Sequence, residues 1–193
     1  MVTSPIPVLV KPRRFSDDRG WFSETYSSQK ARALGITDDF IQDNQSFSAT
    51  AGTIRGLHFQ LPPFAQGKLV RCLSGSIIDY AVDIRRGSPT FGKWVSALLT
   101  ADGGEQLYVP VGYAHGFVTK EDNTNVAYKV TNFYSPESEG GIIWNDPDIS
   151  INWDLNDRNP ILSLKDTEHK LLREFDSPFP YDGTPLSAIE QKD

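Results

Sequence analysis

The run Ile54-Arg55-Gly56-Leu57-His58-Phe59-Gln60 sets an arginine and a histidine in an apolar, strand-like stretch, and a Pro62-Pro63 turn leads on to Lys68. Histidine is the side chain whose ordinary pKa lies nearest neutrality, so it is the first candidate for moving protons. Three are present: His58, His115 and His169. Two cations beside His58 favour its neutral, proton-accepting form, and they are themselves unfavourable together unless an anion joins them. The pattern therefore reads as proton transfer next to a negative charge. In it His58 is a general base, Lys68 a fixed charge for a developing oxyanion, and Asp83 or Asp166 an acid that orients the imidazole. Tyr128 is a candidate general acid, and Tyr134 a candidate ring for stacking on a flat ligand. Each has a plainer alternative: a histidine bonded to backbone, a solvated lysine, a core tyrosine.

Such side chains need a scaffold that brings distant segments together. Strands read at 40–48, 53–60, 68–74, 76–84, 93–99, 106–109, 114–119 and 125–133, separated by turn residues such as Ala51-Gly52, Ser74-Gly75, Arg86-Gly87-Ser88-Pro89 and Gly103-Gly104. Many short strands punctuated in this way predict an antiparallel sandwich or barrel. Upstream, 6–15 reads as an edge-type strand because of its prolines. After a turn at 17–20, 21–26 reads as a short strand. Ser27 or Ser28 caps a helix over 29–34, which Gly35 ends. A short helix is expected near 167–175. One domain over 1–175 is expected, followed by a polar tail at 176–193.

Alternate residues of a strand share a face. In 76–84, Ile78, Tyr80, Val82 and Ile84 make an apolar face, with Asp79, Ala81 and Asp83 opposite. In 53–60, His58 shares a face with Gln60, Gly56 and Ile54. Arg55 falls on the other face unless Gly56 introduces a bulge. Tyr128 and Tyr134 share one parity, so a barrel interior can present both with His58.

Composition bounds the function. The 193 residues suffice for one well-buried domain, and 38% hydrophobic with 23% charged residues is ordinary for a soluble globular protein. The net charge of −6 argues against nonspecific nucleic-acid binding, which needs a basic face, while leaving room for a local basic pocket. No apolar run approaches a membrane span, and no secretory leader is visible, so a cytoplasmic location is expected. The single Cys72 excludes an intramolecular disulfide and a cysteine-built zinc site. Pro110-Val111-Gly112-Tyr113-Ala114-His115 fits the P-x-G-x-x-H turn of metal-binding cupins. Their other motif needs H-x-H, however, where this chain has His58-Phe59-Gln60. No metal site is therefore expected. Dinucleotide, NTP and serine-nucleophile motifs are absent too.

Nine stretches occur in one order: Asp18 to Glu24, Gln42-Asp43-Asn44-Gln45-Ser46, Arg55 to Gln60, Lys68-Leu69-Val70-Arg71, Val82-Asp83-Ile84-Arg85, Ser88 to Gly92, Gly112 to Phe117, Tyr128-Lys129 and Trp144-Asn145-Asp146-Pro147. In this the chain closely resembles the dTDP-4-dehydrorhamnose 3,5-epimerases over roughly 6–170. The resemblance implies a metal-free, cofactor-free jelly-roll of the cupin type with a few short helices. It also implies a homodimer and a nucleotide-linked 4-keto-6-deoxyhexose as substrate. It assigns His58 as base, Lys68 to the enolate oxygen, Tyr128 as acid and Asp166 as the partner of His58. Tyr134 would stack on thymine, and Arg19, Arg55 and Lys165 would meet diphosphate or sugar. Glu24, Gln42, Asn44, His115 and Glu139 would add polar contacts, with Arg19 and Glu24 reaching the neighbouring subunit's site. Asp154 stands where proline is common, and the chain continues past Asp166 as an extra tail. Three alternatives remain beside this one. They are an epimerase of C5 or C3 alone, a sugar-binding cupin without catalysis, and a metal-dependent oxygenase, which Gln60 opposes.

Overall fold

The structure, a computed structural model, describes residues 6–189 and 191–192. Its described strands are β1 (Val8–Val10), β2 (Arg14–Asp17), β3 (Gly20–Ser23), β4 (Gln42–Ser48), β5 (Ile54–Gln60), β6 (Lys68–Ser74) and β7 (Ser76–Asp83), followed by β8 (Trp94–Thr100), β9 (Gln106–Val109), β10 (Tyr113–Thr119), β11 (Thr124–Val130), β12 (Glu139–Gly141) and β13 (Gln191–Lys192). Two short helices accompany them, α1 (Ser28–Ala33) and α2 (Leu164–Thr167). One sheet runs β13-β1-β9-β6-β11-β4, a second β12-β5-β10-β7-β8, and β2-β3 stands apart as a hairpin. Apart from the parallel β1–β13 pair, neighbouring strands are antiparallel, giving the expected jelly-roll.

Strand alternation builds the interior. Val70, Cys72, Leu107, Val109 and Val126 of the first sheet meet Ile77, Ala81, Leu99, Tyr113 and Phe117 of the second. Burying side chains of this size contributes about 1.5–3 kcal/mol each, which holds the sheets face to face. The apolar face of β7 points the other way. Tyr80, Val82 and Ile84 pack outward, under Ile149, Trp153, Leu172 and Phe179 from the C-terminal third. The interior side of β7 is the one that carries Asp79.

Several elements differ in detail from expectation. The segment 6–15 is two strands, because Pro12 lacks an amide donor and interrupts the ladder. Among the described residues β1 is no edge, lying between β9 and β13. Helix α1 forms as expected, with Ser27 accepting from the Lys30 amide at 3.5 Å and Gly35 following at φ +87°. The helix expected near 167–175 is divided: α2 comes earlier, Lys170 bridges to Ile142, and Leu172–Glu174 is a single 3-10 turn. Beyond residue 175, Ser177 and Phe179 are buried against the body, and Asp182 accepts from the buried Arg85 at 3.1 Å.

Candidate active site

The barrel mouth gathers side chains from seven elements, β4, β5, β6, β10, β11, β12 and α2, and β5 supplies the central pair. Its register against β10 slips by one residue: His58 pairs with His115, yet Arg55 pairs with Phe117. That is the bulge anticipated at Gly56, whose φ is +134°. It turns Arg55 onto the side of His58 and sends Ile54 into the outer core with Leu57 and Phe59. Across the mouth, antiparallel pairing sets Tyr128 of β11 between Val70 of β6 and Asn44 of β4. Lys68 opens β6.

His58 Nε2 lies 2.5 Å from Oδ1 of Asp166. Asp166 is 3% exposed and sits in α2, whose N-terminus is capped by Ser163 accepting from the Asp166 amide at 3.2 Å. Burial alone would raise the Asp166 pKa. The hydrogen bond and charge attraction from His58 outweigh it, so the carboxyl is held below its ordinary value. A carboxylate at Nε2 needs a donor, which leaves Nδ1 of the neutral ring with the lone pair. Asp83, the other acid considered for this place, is committed elsewhere. Its oxygens take Arg85 at 2.9 and 2.8 Å, Ser88 at 2.7 Å and Thr90 at 2.8 Å.

The remaining charges are arranged around the pair. Burial pulls the Lys68 pKa down to about 8, against the opposing pull of Asp79 and Glu139. Its Nζ donates to the His58 carbonyl at 3.5 Å. Beneath lies a second imidazole–carboxylate pair, His115 Nε2 to Asp79 Oδ1 at 2.7 Å, with both side chains buried. Burial keeps the His115 pKa below its ordinary value, favouring the neutral ring. Burial also raises the Tyr128 pKa, and Arg55 partly offsets it. Arg55 donates to Ser48 Oγ at 3.3 Å and to the Phe47 carbonyl at 3.0 Å.

These groups line two adjoining cavities of about 210 and 330 Å³, which share His58, Lys68, Tyr128 and Glu139. Arg55, His115, Lys165 and Asp166 line the first; Gln42, Asn44 and Tyr134 line the second. Tyr134 sits on the rim rather than inside the barrel, 54% exposed, and donates to Glu139 Oε2 at 2.9 Å. Glu139 also pairs with Lys165. Gln60 is spent on backbone: its amide donates to the Phe64 carbonyl at 2.6 Å and the Phe133 carbonyl at 3.0 Å, and accepts from the Ser135 amide at 2.8 Å. It thereby ties down the loop bearing Tyr134. Arg19 and Glu24 line neither cavity. Arg19 is at the β2–β3 turn, nearly fully exposed and paired with Asp17, and Glu24 pairs with Lys30 at 2.8 Å.

Sequence reasoning missed Asp79, Ser46 and His169 as members of this neighbourhood. An acid centred in the apolar run of β7 was the available signal for Asp79. Ser46 lines the first cavity with its buried hydroxyl unpartnered. His58, Asp166 and His169 present ligand-type atoms within 4.8 Å of one another. Asp166 is already taken by His58, however, and Lys68 and Lys165 flank the group, so we read it as a proton-handling cluster. A lone pair oriented by a carboxylate, a nearby ammonium and a phenol can together take a proton from a C–H beside a carbonyl and return one.

The sequence model described as dTDP-4-dehydrorhamnose 3,5-epimerase matches residues 5–174. A dTDP-4-dehydrorhamnose 3,5-epimerase of Sinorhizobium fredii is 51% identical over 173 residues, spanning 90% of this chain and 88% of that protein. The crystal structure of a dTDP-4-dehydrorhamnose 3,5-epimerase from Bacillus anthracis, with TDP and PPi bound, is 48% identical. It superposes with a TM-score of 0.82 over 86% of this chain and 93% of that one. A dTDP-6-deoxy-D-glucose-3,5-epimerase from Legionella pneumophila, in complex with dTDP-4-keto-L-rhamnose, is 41% identical. Its TM-score is 0.86, covering 94% of this chain and 98% of that one.

Proposed function

The chain belongs to the dTDP-4-dehydrorhamnose 3,5-epimerase family, and on that premise we propose that it converts dTDP-4-dehydro-6-deoxy-D-glucose to dTDP-4-dehydro-L-rhamnose, as an isomerase of dTDP-L-rhamnose synthesis. The C4 ketone acidifies the C–H bonds at C3 and C5, because each carbanion delocalises onto the ketone oxygen. His58 takes the proton at Nδ1, and Asp166 stabilises the resulting imidazolium through Nε2–H. Lys68 balances the enolate oxygen, and Tyr128 returns a proton to the opposite face. Positioned proton transfer is worth about 10²–10⁴-fold, so the fixed ammonium has to supply much of the rest. The step exchanges protons only, and the reading uses no cofactor and no metal.

For binding, Tyr134 stacks on thymine, Arg55 and Lys165 meet diphosphate or sugar, and Gln42, Asn44, His115 and Glu139 add polar contacts. The enzyme works as a homodimer in which Arg19 and Glu24 complete the neighbour's site. What supports this is the exposure of Phe15, Trp21 and Phe22, at 50%, 57% and 69%, on the hairpin that carries Arg19. Among the described residues no helix is long and apolar enough to cross a membrane. A cytoplasmic location completes the proposal.

The observation that carries the reading is the 2.5 Å His58–Asp166 pair in one cavity with Lys68 and Tyr128. Proton NMR of the substrate in D₂O tests it. Deuterium at both C3 and C5 is expected, and His58→Ala should abolish exchange at both. Label at one position would make the enzyme a single-centre epimerase, and label at neither would leave a sugar-binding protein.

A further inference from the structure

We propose that His169 is a positioning residue of the base: a half-buried imidazole, its Nε2 without a hydrogen-bond partner, that shares the Asp166 carboxylate with His58 and, by taking a proton, switches His58 off. The inference rests on the reading of His58 as the general base and assigns that base its acid-side control.

The geometry is specific. Asp166 Oδ1, 2.5 Å from His58 Nε2, is also the oxygen nearest His169 Nε2, at 3.9 Å. The two imidazoles meet edge to face, 5.7 Å between centroids and 74° between planes. Nε2 of His169 is buried without a hydrogen-bond partner. A buried donor or acceptor left unpaired is a cost, so such a group calls for a reason. The backbone leaves little freedom to escape it. α2 fixes the residue from one side, and Lys170 bridges to Ile142 on the other, its carbonyl accepting from the Ile143 amide at 2.9 Å. Gly141 makes room for the ring, since a Cβ there would lie 2.4 Å from Nε2.

The charged groups facing His169 are His58 on β5, Asp166 and Lys165 on α2, and Glu139 on β12. Burial, then repulsion from His58 and Lys165, hold its pKa below the ordinary value, while Asp166 and Glu139 pull the other way. Near pH 7 it is neutral, too far from Oδ1 for a hydrogen bond, and Asp166 belongs to His58 alone. A proton on His169 changes that. The new cation competes for Oδ1 and stands beside a ring that must itself become cationic to accept the substrate's proton. One carboxylate oxygen does not hold two imidazoliums, so a proton on one ring disfavours a proton on the other. The outlet is not a relay. Passing the Nε2 proton to Asp166 would leave His58 protonated at Nδ1, the wrong tautomer for the next abstraction.

Two measurements decide it. In the substrate-free wild type, ¹⁵N NMR of the imidazoles should show His169 titrating in two steps, reduced to one step in His58→Asn, which keeps an N–H but does not titrate. In the deuterium-exchange assay, log kcat/KM should fall with a slope near 1 on the acid side of both wild type and His169→Asn, about 10-fold per pH unit, and the limb should lie at lower pH in His169→Asn, where one of the two competing proton sites is gone. A packing role alone would change the height of the profile without moving the limb. Coincident acid limbs in the two proteins would overturn the inference, as would a single-step His169 titration in the wild type. If the wild type exchanges no deuterium at any pH, the epimerase reading fails, and the NMR titration still decides whether the rings are coupled. If either variant does not fold, the wild-type titration decides alone.

Discussion

Lys68 is the residue whose environment most directly predicts behaviour in solution. Burial brings its pKa to about 8, against an ordinary 10.5. In the proposed mechanism it must be charged to balance the enolate, so the free enzyme loses it as pH rises through about 8. The prediction is an alkaline limb in kcat/KM near pH 8. A bound diphosphate and a forming enolate both favour the ammonium, so the limb in kcat should lie at higher pH. Lys68→Arg, cationic throughout, should lose the limb together with much of the rate, because the fork of a guanidinium does not fit a site shaped for an ammonium. Rate profiles of deuterium exchange between pH 6 and 10 check this, and a flat wild-type profile would remove Lys68 from the enolate. The shift has a stability counterpart. Above pH 8 the native state binds fewer protons than the unfolded chain, so the cost of burying the ammonium is relieved as pH climbs from 8 towards 10.5. Asp166 has the opposite sign: its pKa is lowered from 3.8, so its contribution is present above that value and is lost as pH falls below it.

Elements turn these residues into a site, and β5 does so through one glycine. A Cβ at Gly56 would lie 2.5 Å from Gly116 Cα and 2.8 Å from the His115 carbonyl, at a φ of +134°. Gly20 has a similar φ, +131°, with nothing within 4 Å. Gly20→Ala should therefore cost only backbone strain, about 1–3 kcal/mol, whereas Gly56→Ala adds a backbone collision of about 1–3 kcal/mol more. At about 2–4 °C per kcal/mol for a chain of this size, Gly56→Ala should melt roughly 2–12 °C below Gly20→Ala. It should also lose exchange activity as Arg55 leaves the His58 side. Equal melting points would show that β5 and β10 can move apart freely. Much of this was legible beforehand. Turn residues delimited the strands from β4 to β11 within a few residues, and the parity conflict at Arg55 located the bulge. Pairings across long separations were not legible. His115 with Asp79, and His169 with Asp166 beside His58, depend on how β10, β7 and α2 are brought together. The outward apolar face of β7 was equally hidden, because its cover is an irregular C-terminal third with no periodicity to read.

At the scale of the whole molecule, the question is whether one chain makes a complete site. The cavities hold His58, Asp166, Lys68 and Tyr128, but Arg19 lies outside them on a hairpin of its own. Among the described residues β2 pairs only with β3, and the aromatic side chains of that hairpin are exposed. An apolar cavity of about 360 Å³ at its base is lined by Phe15, Tyr26, Leu34 and Ile36 among others. A second copy covering this surface would bury it and carry each Arg19 to the other copy's barrel mouth. A closed two-fold pair makes the exchange reciprocal. Complementation reads it out. Arg19→Ala and His58→Ala should each be impaired in deuterium exchange as pure proteins. In a mixed dimer, the barrel with intact His58 receives the intact Arg19 of its partner, while the other barrel carries both lesions. Random reassortment of equal amounts makes about half the dimers mixed, so about a quarter of the sites should be complete. Exchange activity should rise to about that fraction of wild type after the two proteins are unfolded and refolded together, and not when they are mixed immediately before assay. If co-refolding restores nothing while each variant still folds, Arg19 serves its own subunit or no site at all.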